Sequence, residues 1–463
     1  MWDLGVEGGT LVTRMGLIRA NLYVQGEKLG AISVERQRSH RSLDARERLV
    51  LPGVIDTHLH SRDPGLTYKE DFDHATRAAA FGGVTTVLEM PNCLPPVTDL
   101  GSFEARRAHL LPQAHVDFGL WALALGDANL AELPRLAAAG ACGFKLFWGY
   151  ALDRRTLALV YNPAPDDDVV PPPDDAGLLR LMDAVQATGR PLAIHAEHRG
   201  LNAALIAGVD PDAPDTYAEF LRTRPALTEA VAVETACRLA QATGVALHIV
   251  HLTAADSVDV IRAARARGVD VTAETCPQYI TLSDEDFPRV GPLMKVYPPV
   301  RTVADQSALR RGLADGTIAY VASDHAPHAT HEKQGSLWTA PAGTPVVETM
   351  LPLFLRLVSQ GVFTLEDVAR LLSYAPARRF GLYPRKGALE PGSDADLVIV
   401  NPDHPWTIRA AAAHSKHPLS PWEGETVPMA VETTVVRGQV VVADGELQTP
   451  GAGTFLRFGA PLS

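Results

Sequence analysis

Two histidines separated by one residue stand at the end of an apolar run near the start of the chain. The run covers residues 51–62 and reads Leu-Pro-Gly-Val-Ile-Asp-Thr-His-Leu-His-Ser-Arg, with His58 and His60 as the pair. Because alternate side chains of a β-strand point to the same face, both imidazoles can reach one metal ion. A protein-bound metal ion usually takes three or four ligands, so the pair predicts partners elsewhere in the chain.

Four more candidate ligands stand at the ends of later apolar runs. They are Lys145 in Gly-Phe-Lys-Leu-Phe, His195 in Ala-Ile-His-Ala-Glu-His, His251 in His-Ile-Val-His-Leu and Asp324 in Val-Ala-Ser-Asp-His. Any one of these residues alone is more often an ordinary core, surface or ion-pair residue. The six residues together, at the ends of successive runs, predict a metal-dependent hydrolase.

The apolar runs alternate with stretches of helical spacing in the middle of the chain. Strand candidates are 51–55, 84–90, 116–125, 143–147, 191–194, 246–252, 269–273 and 318–322, and helix candidates include 71–81, 176–188, 228–243 and 255–267. Eight strands with helices between them predict an α/β fold of the (β/α)8 TIM-barrel type. The active site of such a barrel lies at the carboxyl ends of the strands, which is where the candidate ligands fall.

Both ends of the chain carry short β-strand patterns instead. They lie at 11–12, 17–24 and 29–34, with breaks predicted at Gly8-Gly9 and Gly26-Glu27-Lys28, and again at 396–400 and 433–442. We therefore expect one small β-sandwich domain formed by residues 1–51 and 385–463, with the barrel domain, residues 52–384, inserted between its halves. Segment 161–177 is acidic and proline-rich, so it is predicted to stay out of the core as a surface excursion after the fourth barrel strand, either a lid or a spacer.

Composition limits the classes of partner. The 463 residues are 46% hydrophobic and 21% charged, with a formal net charge of −12, which argues against a nucleic-acid partner. We find neither the roughly 18 unbroken apolar residues of a membrane helix nor a signal-peptide pattern, so we expect a cytoplasmic protein without a membrane partner. The four cysteines have no CxxC spacing and are predicted to be reduced and mostly buried.

Four motifs carry a resemblance to a known family. They are Pro-Gly-Val-Ile-Asp-Thr-His-Leu-His at 52–60, Gly-Gly-Val-Thr-Thr at 82–86, Ser-Asp-His-Ala-Pro-His at 323–328 and Gly-Ala-Leu-Glu-Pro-Gly-Ser-Asp-Ala-Asp-Leu at 387–397. Together they resemble the cyclic amidohydrolase branch of the amidohydrolase superfamily, which contains dihydroorotases, allantoinases and hydantoinases. The resemblance covers nearly the whole chain. It implies hydrolysis of a small cyclic amide by a homo-oligomer, either a dimer or a tetramer.

The resemblance also implies a centre of two divalent metal ions, usually zinc. His58, His60 and Asp324 would hold the first ion, and His195 and His251 the second. Lys145, carboxylated by CO2, would bridge the two, because a carbamate has two oxygens that can span ions about 3.5–4 Å apart. Asp324 would in addition be catalytic, taking a proton from the nucleophilic hydroxide and delivering it to the departing ring nitrogen.

Three residues resemble the group with which dihydroorotases hold the carboxylate of their substrate. They are Arg62, Asn92 and His328, and each offers a donor or a charge suited to a carboxylate. Other positions depart from that pattern. Some dihydroorotases have an aspartate where this chain has Lys145, and many have an asparagine where it has Tyr297, whose role stays open.

Three functional hypotheses follow. The first is a dihydroorotase, which converts dihydroorotate reversibly to N-carbamoyl-L-aspartate. The second is an allantoinase or a hydrolase of the hydantoinase or dihydropyrimidinase type. The third, a non-catalytic scaffold, is disfavoured because such relatives usually lose ligands and none is lost here. His198 and His248, which lie beside candidate ligands in the sequence, are candidates for groups that support the metal site.

Overall fold

The computed structural model describes residues 1–164, 166–210 and 214–459. Its strands are β1 Trp2–Thr13, β2 Gly16–Gln25, β3 Lys28–Ser33, β4 Ser39–Asp44, β5 Leu49–Pro52, β6 Val54–Leu59, β7 Val84–Glu89, β8 Asp117–Leu120, β9 Ala122–Leu123, β10 Phe144–Phe147, β11 Ala151–Asp153, β12 Leu159–Val160, β13 Val169–Val170, β14 Leu192–His195, β15 Leu247–Ile249, β16 Val271–Thr275, β17 Tyr320–Val321, β18 Leu397–Asn401, β19 Trp406–Thr407, β20 Thr426–Val427, β21 Ala430–Val436, β22 Gln439–Ala443 and β23 Glu446–Leu447. Its α-helices are α1 Phe72–Phe81, α2 Leu100–Leu110, α3 Leu133–Ala139, α4 Asp175–Gln186, α5 Arg199–Ala207, α6 Tyr217–Thr223, α7 Ala226–Thr243, α8 Ala255–Ala266, α9 Pro277–Thr281, α10 Phe287–Val290, α11 Val303–Ala314, α12 Met350–Ser359, α13 Leu365–Ala369 and α14 Ala375–Arg379.

The middle of the chain forms the predicted α/β barrel. Parallel strands pair in the orders β6-β7-β8 and β9-β10-β14-β15-β16-β17. Strands β8 and β9 together occupy one barrel position, because the backbone changes its pairing partner at Trp121. The backbone N–H of Trp121 donates to Glu89 O on β7, and that of Ala122 donates to Gly143 O beside β10. A parallel bridge between Leu59 and His325 brings the last strand position to the first. The prediction of a (β/α)8 fold is confirmed.

Burial on both faces explains why these strands read as continuous apolar runs. Every residue of β6, β7, β10 and β14 is buried, as expected for a parallel sheet covered by helices. Local signals set the helix ends. Asp71 caps α1 by accepting from the backbone N–H of His74, and α7 ends at Gly244, which has a φ of +73°.

The two chain ends share one nine-stranded sheet. Its order is β23-β22-β21-β18-β5-β1-β2-β3, with β4 paired to β1. Strand β5 joins the ends, since it runs parallel to β1 and antiparallel to β18. The sheet has its own apolar core, which includes Leu4, Leu22 and Val435, so the predicted β-rich terminal unit is confirmed.

Strand β1 differs from the prediction. It runs from residue 2 to residue 13 without a break at Gly8-Gly9, because the extra length is taken up by a bulge between Val6 and Gly9, where the register with β2 shifts. Gly8 supplies the positive φ of +77° that this bulge uses. Strand β4 was not predicted, since its sequence Ser-His-Arg-Ser-Leu-Asp is mostly polar.

Parts of segment 385–463 pack on the barrel as well as on the sheet. The indole of Trp422 is fully buried and donates to Thr281 Oγ1 at 3.0 Å. The backbone N–H of Phe118 on β8 donates to Thr454 O at 2.9 Å. Because segment 385–463 contacts both the barrel and the sheet, the division into a terminal domain, 1–51 and 385–463, and a barrel domain, 52–384, stays a proposal. Residues 460–463 lie outside the described residues.

Segment 161–177 lies after β10 as predicted, but it is more closely packed than its composition suggests. Strand β13 pairs with β11, and the ring of Tyr161 lies 4.7 Å from that of Tyr150. The indole N–H of Trp148 donates to Pro173 O at 3.0 Å. Residue 165 is outside the described part of the chain. Tyr161 and strand β13 attach the segment to the barrel, whereas the acidic residues between them, 166–168, are exposed.

The four cysteines are free and buried, in agreement with the sequence analysis. Among the described helices, none is long and apolar enough to cross a membrane.

Candidate active site

The first group of candidate ligands meets at the carboxyl ends of β6 and β17. The Nε2 atoms of His58 and His60 lie 3.3 and 3.4 Å from Asp324 Oδ1, and three ligand atoms of these residues lie within 4.8 Å of one another. All three side chains are buried. Burial alone would raise the pKa of Asp324, but the neighbouring histidines outweigh it and lower that pKa. The donor set and spacing fit one divalent cation.

The second group lies beside the first. His195 ends β14, His251 follows β15, and His195 Nδ1 is 2.8 Å from His251 Nε2. The rings of His58 and His251 have centroids 5.4 Å apart, so the two groups adjoin. Burial lowers the pKa of both His195 and His251. The neutral imidazole is the form that binds a metal, so this environment suits a second cation.

Lys145 on β10 is fully buried, and its Nζ has no hydrogen-bond partner in the described structure. Burial lowers its pKa to about 8, although the charges of Glu274 and Asp324 oppose the change. The charge of Lys145 contributes to the lowered pKa of His195 and of His251, so the amine lies close to the second group. Burying an amine without a hydrogen-bond partner costs free energy. A group that linked the Lys145 nitrogen to the two groups of candidate ligands would remove that cost.

On the side away from Asp324, the Nδ1 atoms of His58 and His60 each donate a hydrogen bond to a side-chain oxygen. Glu274 Oε1 accepts from His58 Nδ1 at 2.6 Å, and Asn92 Oδ1 accepts from His60 Nδ1 at 2.7 Å. Each bond leaves the Nε2 atom of its histidine facing Asp324. Glu274 also accepts from His248 Nε2 at 3.1 Å. Such partners fix the tautomer and the orientation of metal-binding histidines.

Glu197 lies behind the second group of candidate ligands, as Glu274 lies behind the first. It accepts from His195 Nε2 at 2.8 Å, from the Tyr150 hydroxyl at 2.6 Å and from Arg224 Nη1 at 3.0 Å. Asn202 Nδ2 lies 3.3 Å from its other oxygen. Burial opposes ionisation, but Arg224 and His195 hold the pKa of Glu197 well below its ordinary value. Glu197 is therefore a carboxylate surrounded by donors.

Sequence reasoning did not assign Glu274, Glu197, Tyr150 or Arg224. Glu197 stands two residues after His195 in the motif Ala-Ile-His-Ala-Glu-His, and Glu274 directly follows the strand candidate 269–273. The available signals were therefore nearness to a ligand for Glu197 and a position at a strand end for Glu274. His248 does support the site, through Glu274. His198 does not, because it is exposed and caps α5 by accepting from the backbone N–H of Leu201.

A cavity opens above both ligand groups. Its walls include Arg62, Asn92, Phe147, Tyr150, Leu159, Tyr161, Val296, Tyr297, Ala326, Ala342 and Gly343. Tyr297, where the resemblance to dihydroorotases fails, forms part of this wall. The Arg224 guanidinium lies 3.8 Å from the centroid of the Tyr297 ring, and the Tyr161 ring is 5.5 Å away. Tyr297 is thus held between a cation and an aromatic neighbour.

The three predicted substrate-binding residues are close together but not equivalent. Arg62 and Asn92 line the cavity, while His328 lies behind, with its Nε2 3.4 Å from Arg62 Nη2. Both ring nitrogens of His328 are already engaged: Lys69 Nζ is 3.0 Å from Nδ1, and Ala342 O is 2.9 Å from Nε2. Arg62 is the member whose charge faces the cavity.

Three site residues adopt the left-handed backbone conformation. Arg62, His251 and Asp324 have φ values of +63°, +40° and +46°. Residues other than glycine seldom adopt this region, and the surrounding structure must hold them there. Such strain tends to collect where side chains are positioned for function.

A parallel α/β barrel with two adjoining groups of buried candidate metal ligands at the carboxyl ends of its strands has the architecture of a metal-dependent hydrolase. The chain belongs to the amidohydrolase family, whose model, described as "Amidohydrolase family", matches residues 49–441. The sequence is 37% identical over 460 residues to an allantoinase from Rubrobacter xylanophilus, covering 98% of each chain. It is 34% identical over 474 residues to a dihydroorotase from Methanosarcina mazei, covering 100% of this chain and 99% of the relative. The fold matches the L-hydantoinase (dihydropyrimidinase) from Arthrobacter aurescens with a TM-score of 0.91 at 32% identity, covering 98% of this chain and 99% of that one.

Proposed function

We propose that the protein opens a cyclic amide ring of the allantoin or hydantoin type by hydrolysis. The observation that carries this proposal is the convergence of five candidate ligands, His58, His60, His195, His251 and Asp324, on one cavity, with the buried Lys145 amine close to them and without a hydrogen-bond partner. The similarity to an allantoinase and an L-hydantoinase supports this second hypothesis better than the dihydroorotase hypothesis. A non-catalytic scaffold remains disfavoured because every ligand position keeps a metal-binding side chain.

The proposed metal centre takes two divalent cations, with zinc as the expected ion. His58, His60 and Asp324 would hold one, His195 and His251 the other, and a carbamate on Lys145 would join them. Bound cations would supply Lewis acidity, which makes water nucleophilic near neutral pH and polarises the amide carbonyl. The nearby carboxylates, Glu274 and Glu197, keep the ligating nitrogens of His58 and His195 directed at the centre.

Asp324 is the proposed proton carrier. Its Oδ1 lies within 3.4 Å of both histidines of the first group and faces the cavity. A carboxylate at that place can accept the proton of the attacking water and deliver it to the ring nitrogen, which leaves poorly as an anion. Addition of water across the C–N bond then opens the ring to a carboxylate and a ureido group.

Arg62, Asn92 and His328 are the proposed substrate-binding residues, with Arg62 in direct contact. Its guanidinium would bind an oxygen of the ring substituent, and the Nδ2 of Asn92 is available beside it because Oδ1 is used by His60. His328, which lies behind Arg62, would act by holding the cavity wall at Ala342 in place.

The deciding experiment is a side-by-side assay of the metal-loaded enzyme with allantoin, a 5-substituted hydantoin, dihydrouracil and dihydroorotate. We expect allantoin or the hydantoin to have a kcat/KM at least tenfold above that of dihydroorotate. If dihydroorotate is the best substrate, the first hypothesis is restored. No turnover of any of the four rings by fully metal-loaded protein would favour the scaffold.

A homo-oligomeric state, dimer or tetramer, and a cytoplasmic location remain predictions. Light scattering after size exclusion tests the first, and fractionation of the source cells tests the second.

A further inference from the structure

A second cavity, of about 320 Å³, lies on the opposite face of the barrel. Cys142 and Pro191, which line it, lie just before the starts of β10 and β14 in the chain. The candidate ligand His195 lies at the other end of β14. With a rise of about 3.3 Å per residue, roughly 13 Å of strand separates Pro191 from His195. The cavity is therefore distinct from the candidate active site.

Arginine provides the charge of this cavity. Arg190, Arg378 and Arg379 line it, and none of its described lining residues is an aspartate or a glutamate. Arg379 is compensated, since it pairs with Asp270 at 2.8 Å. Arg378 instead lies beside an aromatic ring, with its Nη1 3.3 Å from the Tyr374 hydroxyl. The guanidinium of Arg14 lies 4.5 Å from the centroid of the same ring. In a chain with a net charge of −12, this is a locally positive site.

Arg190 is the least satisfied of these groups. It is 7% exposed, and its described hydrogen bonds go to the carbonyl oxygens of Phe458 and Ala137. Its Nε has no partner, and no carboxylate pairs with it in the described structure. Burial accordingly lowers its pKa. A buried cation without an anion is unfavourable, so an anionic ligand would be stabilising at this position.

We infer that this arginine-lined cavity is a binding site for the phosphoryl group of a small molecule, separate from the proposed catalytic centre. A planar guanidinium presents paired N–H donors that match the oxygens of a phosphate. A cavity of about 320 Å³ is roughly ten times the volume that liquid water takes per molecule, about 30 Å³. There is room for a phosphoryl group and a small organic part.

Calorimetric titration of the metal-loaded protein tests this site, with inorganic phosphate and adenosine monophosphate as probes at low ionic strength. We expect Arg190→Met to weaken binding at least tenfold and Arg378→Ala, at the exposed rim, at least threefold. Arg378→Ala should keep full hydrolase activity. The matched control is Arg154→Ala, which removes an exposed arginine paired with Asp168 and should leave binding unchanged.

The two probes distinguish the source of the phosphoryl group. Adenosine monophosphate binding at least tenfold more tightly than phosphate would identify a phosphate ester, and equal affinities would identify free phosphate. If Arg190→Met does not fold, Arg190→Lys keeps the charge without the fork and should still weaken binding at least threefold.

Three results would overturn the inference. The first is equal affinity in the wild type, in Arg378→Ala and in whichever Arg190 variant folds. The second is binding that disappears in His58→Ala but persists in Arg378→Ala, which would place the anion at the metal centre. The third is binding that appears after residues 460–463 are removed but is absent in the full chain.

Discussion

Replacing Glu197 by Gln tests whether the second ligand group depends on its buried carboxylate. The partners of Glu197 are all donors: the N–H of His195, the hydroxyl of Tyr150, the guanidinium of Arg224 and the amide of Asn202. A glutamine of the same shape offers one oxygen and one NH2 group. Whichever way the glutamine amide is turned, its NH2 group would face N–H or O–H donors that the carboxylate oxygen of Glu197 now accepts from.

The size of the effect follows from this geometry. Charge-assisted hydrogen bonds contribute roughly 1.5–3 kcal/mol each, and losing a partner behind a metal-binding histidine typically costs 10–100-fold in metal affinity. We therefore expect Glu197→Gln to weaken the binding of one of the two proposed zinc ions by about 10–100-fold, or about 1.4–2.7 kcal/mol. The other proposed ion, which His58, His60 and Asp324 would hold, should bind nearly as before.

Competition with a chromophoric zinc chelator measures both affinities. The matched control is Glu234→Gln, because Glu234 is a surface carboxylate paired with Arg238 at 2.7 Å, and surface pairs contribute at most about 1 kcal/mol. The reasoning is refuted if Glu197→Gln keeps both zinc affinities within twofold of the wild type. Equal weakening of both ions would instead show that the two ligand groups bind as one unit.

Three further predictions concern Lys145, Asp324 and Arg62, the residues proposed to bridge the metal ions, carry the proton and bind the substrate. Lys145→Ala should lose activity and metal, with partial recovery when short-chain carboxylic acids supply the missing oxygens; full activity without them would exclude the carbamate bridge. Asp324→Asn should lower kcat by about 10²–10⁴-fold, as expected for loss of a general acid–base group, and a fall of less than threefold would assign proton transfer elsewhere. Arg62→Met should raise KM or lower kcat/KM for the best substrate by about one to two orders of magnitude while leaving the metal content intact; an unchanged kcat/KM would remove Arg62 from the substrate site.

The barrel and the candidate ligands were predictable because their signals are local in the sequence. A buried parallel strand reads as an apolar run, and a metal-binding side chain at its end interrupts that run within one or two residues. His58, His195 and His251 were found in this way. The helix ends agree to within about two residues where a cap or a glycine marks them, as at Asp71 and Gly244.

The supporting groups were not predictable, because their contacts depend on which strands become neighbours in space. Glu274 and His58 are 216 residues apart in the chain, and no spacing rule relates them. Arg224 reaches Glu197 from a separate helix connection, 27 residues away. The packing of Tyr161 was hidden for another reason: the composition of segment 161–177 is acidic and proline-rich, and it outweighed Tyr161, the single aromatic residue of that segment, which lines the cavity.

The state of His328 bears on the choice between the two substrate hypotheses independently of the comparisons. Burial lowers its pKa to about 3, so the imidazole is neutral at neutral pH and has one N–H to donate. Lys69 occupies Nδ1, and the carbonyl of Ala342 accepts from Nε2. A substrate carboxylate would therefore find Arg62 as its charged partner and the amide of Asn92 beside it, but no donor from His328. Arg62 and Asn92 alone supply fewer contacts than the predicted three-residue grip on a carboxylate, and they can also donate to the oxygen of an uncharged substituent such as the ureido group of allantoin. A three-point grip on a carboxylate would require His328 to give up its bond to Ala342, which holds the cavity wall.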